Sequence, residues 1–475
     1  MIKKIFSLKK ILLIFISFIC FIYFLVYLNN SNPKMFNFIK NKIDYEIRQE
    51  IKKFFLFVSY YKKENSNLEK SNKQLSNSLL FLNNELISLQ QQKNLVNEVV
   101  FPQTQFVKLK LSKIELDSDR DNRLRNKVDD YKDGKFVTPF YIESIADKVI
   151  TITYYGKFIV HNNYKDSEKK FDSSRIINTN LPNNITIYDT LIFEKKIFVS
   201  YAKRDTSCNF LKIVYADINF NFLKFKDFYI QGENDKNKIN EQCNESVMGG
   251  RMAIQDIGKY KKYLFLTSKD LDSDIKYKQM KDQYGLNITE KYMVINRINF
   301  LDRKSEIFST GHRNPQGLYV SKNIILSTEH GPRGGDEINR IFKGKNYGWP
   351  IASYGETYNE NYSNKDQFNY KKNHSNLGFE EPLFAFTPSI GITQIAPANI
   401  KFSERWENSF LIGSLRAQSL YRVVFDHNFT RVINFEKILI SNRIRDINYN
   451  AEYNFFILAL EDENGSIGIL QVDNN

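Results

Sequence analysis

The chain is poor in cysteine, histidine, tryptophan and proline. Its 475 residues include three cysteines, five histidines, two tryptophans and ten prolines. No Cys-x-x-Cys pair or closely spaced group of His and Cys is present, so the sequence does not predict a zinc site. Cys208 and Cys243 lie in polar, loop-like surroundings and could pair in an oxidising compartment. Two unrelated free thiols are the alternative.

The chain also lacks the motifs of several common enzyme classes. The glycine-rich stretch at 331–336 does not match the GxxxxGK[ST] phosphate loop. His312 and His330 are candidate general bases, but no Ser or Cys nucleophile pattern lies near them, which argues against triad chemistry. The alternative is that each is a loop histidine whose ring is satisfied by the backbone.

The positive charge is spread along the chain. The formal net charge is +14, and Lys, Asn, Ile, Phe and Tyr are all abundant. These residues share AT-rich codons, so base composition alone can produce the basic balance. Because no basic stripe accompanies a known nucleic-acid fold, a nucleic-acid partner is not expected.

Residues 11–28 form an uncharged apolar run. As a helix the run would be about 27 Å long, enough to span a bilayer. A signal peptide would have a shorter core and a small-residue cleavage site, and neither is present. The lysines within residues 1–10 favour a cytoplasmic N-terminus. We therefore expect a single-pass anchor in the inner membrane, with the rest of the chain facing the periplasm.

Apolar residues recur at spacings of three and four between 35 and 100, which predicts a helical stalk. They are Ile39, Ile43, Ile47, Ile51, Phe55, Leu68, Leu75, Leu79, Leu82, Leu86, Leu89 and Val96. The second half of this pattern suits a coiled coil, which would join copies of the chain into a homo-oligomer. The alternative is a single amphipathic helix folded back on the main domain. Residues 101–135 are charged and irregular, and we interpret them as a connector.

Residues 136–475 contain many short runs rich in β-branched and aromatic residues, separated by turn residues. Asn464-Gly465 between two such runs predicts a hairpin, because this pair accepts the positive φ of a type I′ turn. We expect an all-β domain, and the number of runs fits a β-propeller of about six blades of about 50 residues each. A large β-sandwich is the alternative. In a propeller, residues distant in sequence would converge on a central pocket.

Three basic patches lie in loops of this half. They are Arg313 with Asn314, then Arg416, and then Arg443 with Arg445. Arginine keeps its charge when partly buried and binds carboxylates through two parallel hydrogen bonds. If the patches converge, the site would suit a planar polyanion. The alternative at each patch is an ordinary salt bridge, for example between Arg445 and the adjacent Asp446.

A second set of loop residues suits a hard metal ion. Glu337 and Tyr347 follow Gly331 and Pro332 within the same segment. Carboxylate, backbone carbonyl and phenol oxygens are ligands that calcium accepts in irregular geometry, although no EF-hand spacing is present. The alternative is that Asp336 and Glu337 cap a turn.

Three motifs in this region carry a specific resemblance. They are GHRNPQGL at 311–318, TEHGPRGGDEIN at 328–339 and GKNYGWP at 344–350. In order and spacing they resemble the soluble PQQ-dependent glucose dehydrogenases and the related aldose sugar (glucose/sorbosone) dehydrogenases. Weaker matches are GGRMAI at 249–254, SLRAQSLYR at 414–422 and NRIRDI at 442–447. The resemblance implies a six-bladed propeller that uses PQQ and calcium to oxidise the CH–OH group of sugars or related alcohols.

The resemblance also implies roles for individual residues. Arg313 and Asn314 match the pair beside PQQ, Arg416 matches a basic residue that reaches it, and Arg443 and Arg445 match an arginine pair at its carboxylates. The metal positions follow in the same way. Gly331 and Pro332 match carbonyls that hold a calcium ion at the quinone, and Glu337 and Tyr347 match a second calcium site, with Glu381 as a looser match.

One position departs from the family. In the family mechanism a histidine accepts the proton of the anomeric hydroxyl, and it stands four residues before the arginine of the G-R motif. Here that arginine is Arg251, and the position holds Val247, which cannot accept a proton. Ser246 stands where the glucose enzyme has a sugar-contacting Asp. Glu241 and Glu245 are substitutes to consider. The alternative function is a non-catalytic sugar-binding or scaffold propeller.

Overall fold

The computed structural model describes Tyr27, 30–32, Lys34 and residues 99–475, apart from several internal segments. The segments left out are 105–106, 117–127, 130–135, 138, 166–169, 204–210, 232–248, 259, 270–292, 357–369, 399–400, 463–464 and 474–475. The anchor predicted at 11–28 falls almost wholly outside the described residues. So do most of the stalk, both cysteines of the proposed pair, and Val247. Among the residues that are described, no helix is long and apolar enough to cross a membrane.

The unit Leu95–Asn475 is built from short β-strands. The first strands are β1 (Val99–Val100), β2 (Leu109–Glu115), β3 (Val128–Asp129), β4 (Phe136–Val137), β5 (Phe140–Ile145), β6 (Lys148–Thr153), β7 (Phe158–Lys165), β8 (Lys170–Thr179), β9 (Ile185–Phe193), β10 (Lys196–Lys203), β11 (Lys212–Asp217), β12 (Phe222–Leu223) and β13 (Lys226–Ile230). The middle strands are β14 (Gly249–Asp256), β15 (Lys262–Ser268), β16 (Val294–Asn299), β17 (Ser305–Thr310), β18 (Pro315–Val320), β19 (Ile325–Glu329), β20 (Asp336–Arg340) and β21 (Phe384–Phe386). The last strands are β22 (Ile392–Pro397), β23 (Ser409–Ser414), β24 (Ser419–Phe425), β25 (Val432–Leu439), β26 (Arg443–Asn450), β27 (Phe455–Glu461) and β28 (Ser466–Val472). Two 3-10 helices lie at Ser375–Leu377 and Glu404–Trp406.

These strands form a two-stranded sheet of β3 and β4 and six larger sheets that follow one another along the chain. Blade 1 contains β5 to β8, with β12 added in parallel at its edge, and blade 2 contains β9, β10, β11 and β13. Blades 3, 4 and 5 contain β14–β17, β18–β21 and β22–β25. Blade 6 contains β26, β27 and β28. The innermost strands contact one another in the order β5, β9, β14, β18, β22, β26 and back to β5, which closes a ring. The prediction of an all-β, six-bladed propeller is confirmed.

Blade 6 is completed from the beginning of the domain. Strand β2 pairs antiparallel with β28, from Leu109 opposite Val472 to Glu115 opposite Ser466, and β1 lies outside it. This differs from the irregular connector expected at 101–135 and from a stalk running to residue 100. The strand is only seven residues long, and the charged stretches around it dominated the composition of the segment. Pairing the two ends of the domain closes the ring and removes an exposed strand edge.

The hairpin expected at Asn464-Gly465 is present as a strand pair. Strands β27 and β28 pair antiparallel, and Gly465 has a φ of +78°. Residues 463 and 464 themselves lie outside the described part of the chain.

The apolar core lies between neighbouring blades. One cluster joins blades 1 and 2 around Phe158 and Ile187, and another joins blades 5 and 6 around Trp406 and Phe456. The innermost strands also carry buried charged residues, among them Asp189, Arg251 and Asp446.

Candidate active site

A buried charged cluster lies at the axis of the ring. Arg251 on β14 donates through Nη1 to Asp189 Oδ1 on β9 at 2.8 Å and to Asp446 Oδ1 on β26 at 3.1 Å. The other carboxylate oxygens accept from backbone amides, Met252 N at 2.7 Å and Ile142 N at 3.2 Å. The cluster therefore ties four innermost strands together near their first residues, so these strands all begin at one end of the ring.

The cluster carries more acid than base. Burial raises the pKa of Asp189 to about 7, although Arg251 lowers it. Glu143 lies close by and accepts from Thr190 Oγ1 at 3.2 Å. Burial raises the pKa of Glu143 well above its ordinary value, and the charges of Asp446 and Asp189 raise it further. One guanidinium thus faces three carboxyl groups, so a proton kept on Glu143 reduces the excess of negative charge to one.

Arg443 and Arg445 at the start of β26 share one carboxylate. Glu461, at the end of β27, accepts from Arg443 Nε at 3.0 Å and from Arg445 Nε at 2.5 Å. Arg251 Nη2 also donates to the Arg445 carbonyl oxygen at 3.0 Å. The local salt bridge considered between Arg445 and Asp446 is not formed, because Asp446 is bound to Arg251.

Arg313 and Asn314 lie just before β18. Arg313 donates its backbone N–H to Glu329 Oε2 at 2.8 Å and Nη1 to the His330 carbonyl at 3.1 Å. Its guanidinium lies 5.2 Å from the Trp349 ring centre. Its Nε is buried and has no hydrogen-bond partner among the described residues. The Asn314 carbonyl accepts from His330 N at 3.0 Å.

His330 connects two of the predicted patches. Burial lowers the pKa of His330 to about 4, and the positive charges of Arg313 and Arg445 act in the same direction against Asp336. Its Nε2 is buried, and no described residue offers it a hydrogen bond. One residue from each of two patches, Arg313 and Arg445, therefore acts electrostatically on this imidazole, and Arg313 also contacts the His330 backbone.

Arg416 is not joined to that group. It is exposed in the turn after β23, and its backbone N–H donates to the Ile390 carbonyl at 3.0 Å. Within the described residues, no hydrogen bond or ion pair links its guanidinium to the other predicted cofactor residues.

His312, the other candidate base, is satisfied by side chains. It is fully buried, with Nε2 2.8 Å from Ser309 Oγ and Nδ1 3.2 Å from Glu329 Oε1. Its ring stacks on Tyr347 with 4.7 Å between the centres. Both ring nitrogens of His312 therefore have partners within the fold, which indicates a structural role. His330 differs, because its Nε2 has no hydrogen-bond partner among the described residues.

The Gly331–Pro332 turn is held by Asp336. One Asp336 oxygen accepts from Gly331 N at 3.1 Å and from Ser389 Oγ at 2.6 Å, and the other accepts from Ile390 N and Ile392 N at 3.1 and 3.0 Å. A Cβ at Gly331 would lie 2.2 Å from two carbonyl oxygens, so only glycine fits. The capping role considered for Asp336 is confirmed.

The predicted metal residues Glu337 and Tyr347 are placed differently from one another. Glu337 is buried, accepts from Asn339 Nδ2 at 3.2 Å, and has Oε1 3.8 Å from His374 Nε2. The Tyr347 hydroxyl donates to the Arg340 carbonyl at 2.5 Å and accepts from Phe342 N at 2.9 Å. Its phenol oxygen is therefore used within the fold, and Tyr347 as a calcium residue stays a prediction.

Calcium fits this region in part. Asn339 Oδ1 and both ring nitrogens of His374 are buried without partners in the described chain, beside the Glu337 carboxylate. Unsatisfied acceptors around a buried carboxylate are the chemistry that a cation or a proton would complete. Glu381 is already engaged by Tyr354 OH at 2.9 Å and Ser375 N at 2.8 Å. As the described residues stand, no three His, Cys, Asp or Glu side chains are placed to hold a metal ion.

The residues of the neighbouring pocket suit PQQ in their chemistry. The pocket is lined by Arg313, His330, Gly331, Glu337, Trp349 and Ser353, among others. Arg313 Nε and His330 Nε2 are the two buried nitrogens without partners, and the Trp349 ring supplies a flat apolar face. Nitrogen donors beside a flat face suit a planar anion with ring oxygens.

Sequence reasoning missed the carboxylates that organise these arginines. Glu461 ends the apolar run of β27, and Asp189 interrupts the apolar run of β9. A lone acidic residue in an otherwise buried strand is a signal that its partner comes from elsewhere. The arginine partners lie far away in the sequence. The pattern therefore predicts that Asp189 and Glu461 are paired, but it does not predict which arginine pairs with each.

Comparisons with known proteins agree with this site. The glucose/sorbosone dehydrogenase family profile matches residues 185–469, more than half of the chain. Aldose sugar dehydrogenase YliI of Escherichia coli (strain K12) is 32% identical over 227 residues, which is 45% of this chain and 57% of that protein. Quinoprotein glucose dehydrogenase B of Acinetobacter calcoaceticus is 50% identical over 62 residues, 13% of each chain. The chain thus matches less than two thirds of the length of these relatives.

A solved structure shows the same fold. The crystal structure of the soluble aldose sugar dehydrogenase from Escherichia coli in the apo-form is similar with a TM-score of 0.52 and 19% identity. The superposition covers 71% of this chain and 96% of that one. Together with the family match over the propeller, the fold and the converging arginines lead to one conclusion: the chain belongs to the glucose/sorbosone dehydrogenase family.

Proposed function

We propose that the protein is a PQQ- and calcium-dependent oxidoreductase that acts on the CH–OH group of sugars or related alcohols. The observation that carries the proposal is that Arg313 and His330 line one pocket with two buried nitrogens that lack partners among the described residues, while the charge of Arg445 also acts on His330. The family membership and the names of the relatives support the same activity.

The chain's own residues would bind and orient the cofactor. Arg443 and Arg445 would meet its carboxylates, since Glu461 occupies their Nε atoms and directs the remaining guanidinium nitrogens elsewhere. Arg313 and Asn314 would hold its edge, and Trp349 would exclude water from one side. When bound, PQQ supplies the quinone that accepts hydride from the substrate carbon. The carbonyls of Gly331 and Pro332 are the proposed calcium ligands next to it, and Glu337 belongs to a proposed second site.

A non-catalytic binding propeller is the second candidate. It is supported by Val247, which stands where the family has its proton-accepting histidine. General bases typically contribute about 10²–10⁴-fold in rate, so the loss of one without a substitute would leave an almost silent enzyme.

The experiment uses the full chain loaded with PQQ and calcium and measures dye reduction with a panel of aldoses and polyols. Substrate-dependent reduction that disappears in Arg445→Leu is the expected result. A fully loaded protein that reduces no dye with any substrate would refute the dehydrogenase and leave the binding propeller. Introducing the family residue as Val247→His sharpens the choice, because gain of activity would show that only the base is missing.

Attachment to the inner membrane with the propeller in the periplasm is part of the proposal. It rests on the uncharged run at 11–28 and the lysines before it. Alkaline extraction of membranes tests it: the full chain is expected to stay in the membrane pellet, and release into the supernatant would count against the anchor.

A further inference from the structure

Gln316 links two of the proposed cofactor residues across the ring. It is the second residue of β18 and is half-buried. Its Nε2 donates to Asn314 Oδ1 at 2.9 Å, and its Oε1 accepts from Arg445 Nη1 at 3.5 Å. Nε2 also lies 3.4 Å from the Pro315 carbonyl. Blades 4 and 6 are therefore connected at the site by one side-chain amide.

The chemistry of the three groups fixes the direction of every contact. A guanidinium has donors only, so Gln316 must present its oxygen to Arg445. Its NH₂ group then donates to Asn314, which must accept with its side-chain oxygen. This leaves Asn314 Nδ2 as the end that can donate to a ligand. A chain of two hydrogen bonds thus runs from Arg445 through the Gln316 amide to Asn314, and it leaves the Asn314 NH₂ group free to donate.

Arg445 itself is held at three points. Glu461 binds Nε, Arg251 binds the backbone carbonyl, and Gln316 binds Nη1. The first two contacts place the residue, but neither reaches blade 4. Among the described residues, the contact with Gln316 is the hydrogen bond that joins Arg445 to the 313–316 segment.

We propose that Gln316 is a positioning residue that makes Asn314 and Arg445 act as one unit, with both presenting donors to the same anionic ligand. The proposal rests on the proposed function in so far as that ligand is PQQ. A planar anion bridging blades 4 and 6 would gain from this coupling, whereas a ligand that touches one blade would not.

Gln394 provides a matched control. It is a half-buried glutamine on the innermost strand β22, and its Oε1 accepts only from backbone, Leu318 N at 3.1 Å and Ile395 N at 3.0 Å. Gln394→Met removes two hydrogen bonds of the scaffold and touches neither Asn314 nor Arg445.

The first test titrates the full chain with PQQ in the presence of calcium and follows quenching of protein fluorescence. Gln316→Met is expected to weaken PQQ binding about tenfold, the equivalent of one or two hydrogen bonds. Gln394→Met is expected to change the dissociation constant less than about twofold, with a similar loss of melting temperature. Equal weakening by both variants would overturn the proposal, since it would mean that Gln316 acts only through stability.

The second test measures coupling. Asn314→Ala and Arg445→Leu are combined in the native background and in Gln316→Met, with PQQ affinity as the readout. The two effects should be strongly non-additive with Gln316 present and additive without it. Additivity in both backgrounds, or unchanged coupling in Gln316→Met, would refute the link.

A third readout needs no ligand and separates this inference from the proposed function. Exchange of Arg445 Nη1 and Nη2 by guanidinium rotation is measured by NMR of ¹⁵N-arginine in the full chain. Rotation should be slow in the native protein and in Gln394→Met, and faster in Gln316→Met. If the native protein does not bind PQQ but shows this pattern, the proposed function fails while the link stands. Equally fast rotation in all three proteins would refute the link.

Discussion

Two buried arginine–carboxylate groups in this propeller look alike locally and differ in balance. In blade 5, Arg422 on β24 and Glu436 on β25 form a one-to-one pair with Nε 2.9 Å from Oε2, and their side chains are 4% and 5% exposed. At the axis, Glu461 is fully buried but serves two arginines, Arg443 and Arg445, which remain 22% and 20% exposed.

The difference separates structure from binding. The blade 5 pair is neutral and closed, so it needs nothing further. The axial group has two positive charges for one negative charge, and its arginines remain partly exposed. An excess of positive charge that is partly exposed and held in place suits an anion, and this is a physical reason to assign binding to one group and not to the other.

The largest expected effect is the loss of stability when the Arg422–Glu436 pair is broken. Arg422→Met removes the guanidinium that pairs with the buried Glu436 carboxylate and should lower the free energy of unfolding by about 3–5 kcal/mol. Adding Glu436→Leu should restore most of it, because apolar replacement of a buried ion pair is often neutral. Denaturant unfolding of the single and double variants measures both effects. If the single variant were as stable as the native protein, the pair would not have the structural role assigned to it.

At the axial group of Arg443, Arg445 and Glu461, a smaller effect on stability and a larger effect on PQQ binding are expected. Arg445→Leu leaves Glu461 paired with Arg443, so unfolding should become easier by only about 1–2 kcal/mol. PQQ affinity should fall by about a hundredfold, as expected for a charge-assisted contact worth about 3 kcal/mol. Equilibrium dialysis and thermal unfolding measure the two quantities. The opposite ranking, with a large stability loss and unchanged affinity, would reverse the comparison.

The axial cluster predicts a pH dependence of the opposite sign to that of an ordinary salt bridge. The pKa of Glu143 in the folded protein lies well above its reference value of 4.5 because of burial. The native state therefore keeps a proton that the unfolded chain releases, and stability should fall as pH rises above about 4.5, by up to about 1.4 kcal/mol per pH unit from this group.

Glu143→Gln should remove that contribution, so its stability relative to the native protein should rise from pH 5 to pH 8. Urea unfolding at the two pH values measures the difference. A constant difference between the variants at both pH values would show that Glu143 titrates normally.

The smallest expected effect is at Arg416. The resemblance assigns it to the cofactor, but it is exposed and, in the described residues, its guanidinium has no ion pair with the converging group. Arg416→Gln should change stability by less than about 0.5 kcal/mol. PQQ affinity should change by less than about threefold. A loss comparable to that of Arg445→Leu would show that Arg416 reaches the ligand.

The sequence was sufficient for the features that depend on local pattern. Short apolar runs and turn residues predicted an all-β propeller, which is confirmed, and the motifs led to the prediction of Arg313, Asn314, Arg443 and Arg445 as cofactor residues. The interpretation of Asp336 as a turn cap was also available locally, since its partner Gly331 is five residues away, whereas its partner Ser389 is 53 residues away.

Features that depend on distant partners were not predictable. Asp446 pairs with Arg251, which is 195 residues away, rather than with its neighbour. The strand β2 was hidden among charges because its partner β28 is at the other end of the domain. The hydroxyl of Tyr347 was assigned to calcium by residue type, while its hydrogen bonds to Arg340 and Phe342 depend on the local turn geometry. Residue type suggests chemistry, but packing decides which atoms remain available.

The most direct test of the account is equilibrium dialysis of the full chain with PQQ and calcium, comparing the native protein, Arg445→Leu and the double variant Arg422→Met/Glu436→Leu. We expect one PQQ per chain for the native protein and the double variant, and strongly reduced binding for Arg445→Leu. No binding to the native protein, or equal binding to all three, would contradict it.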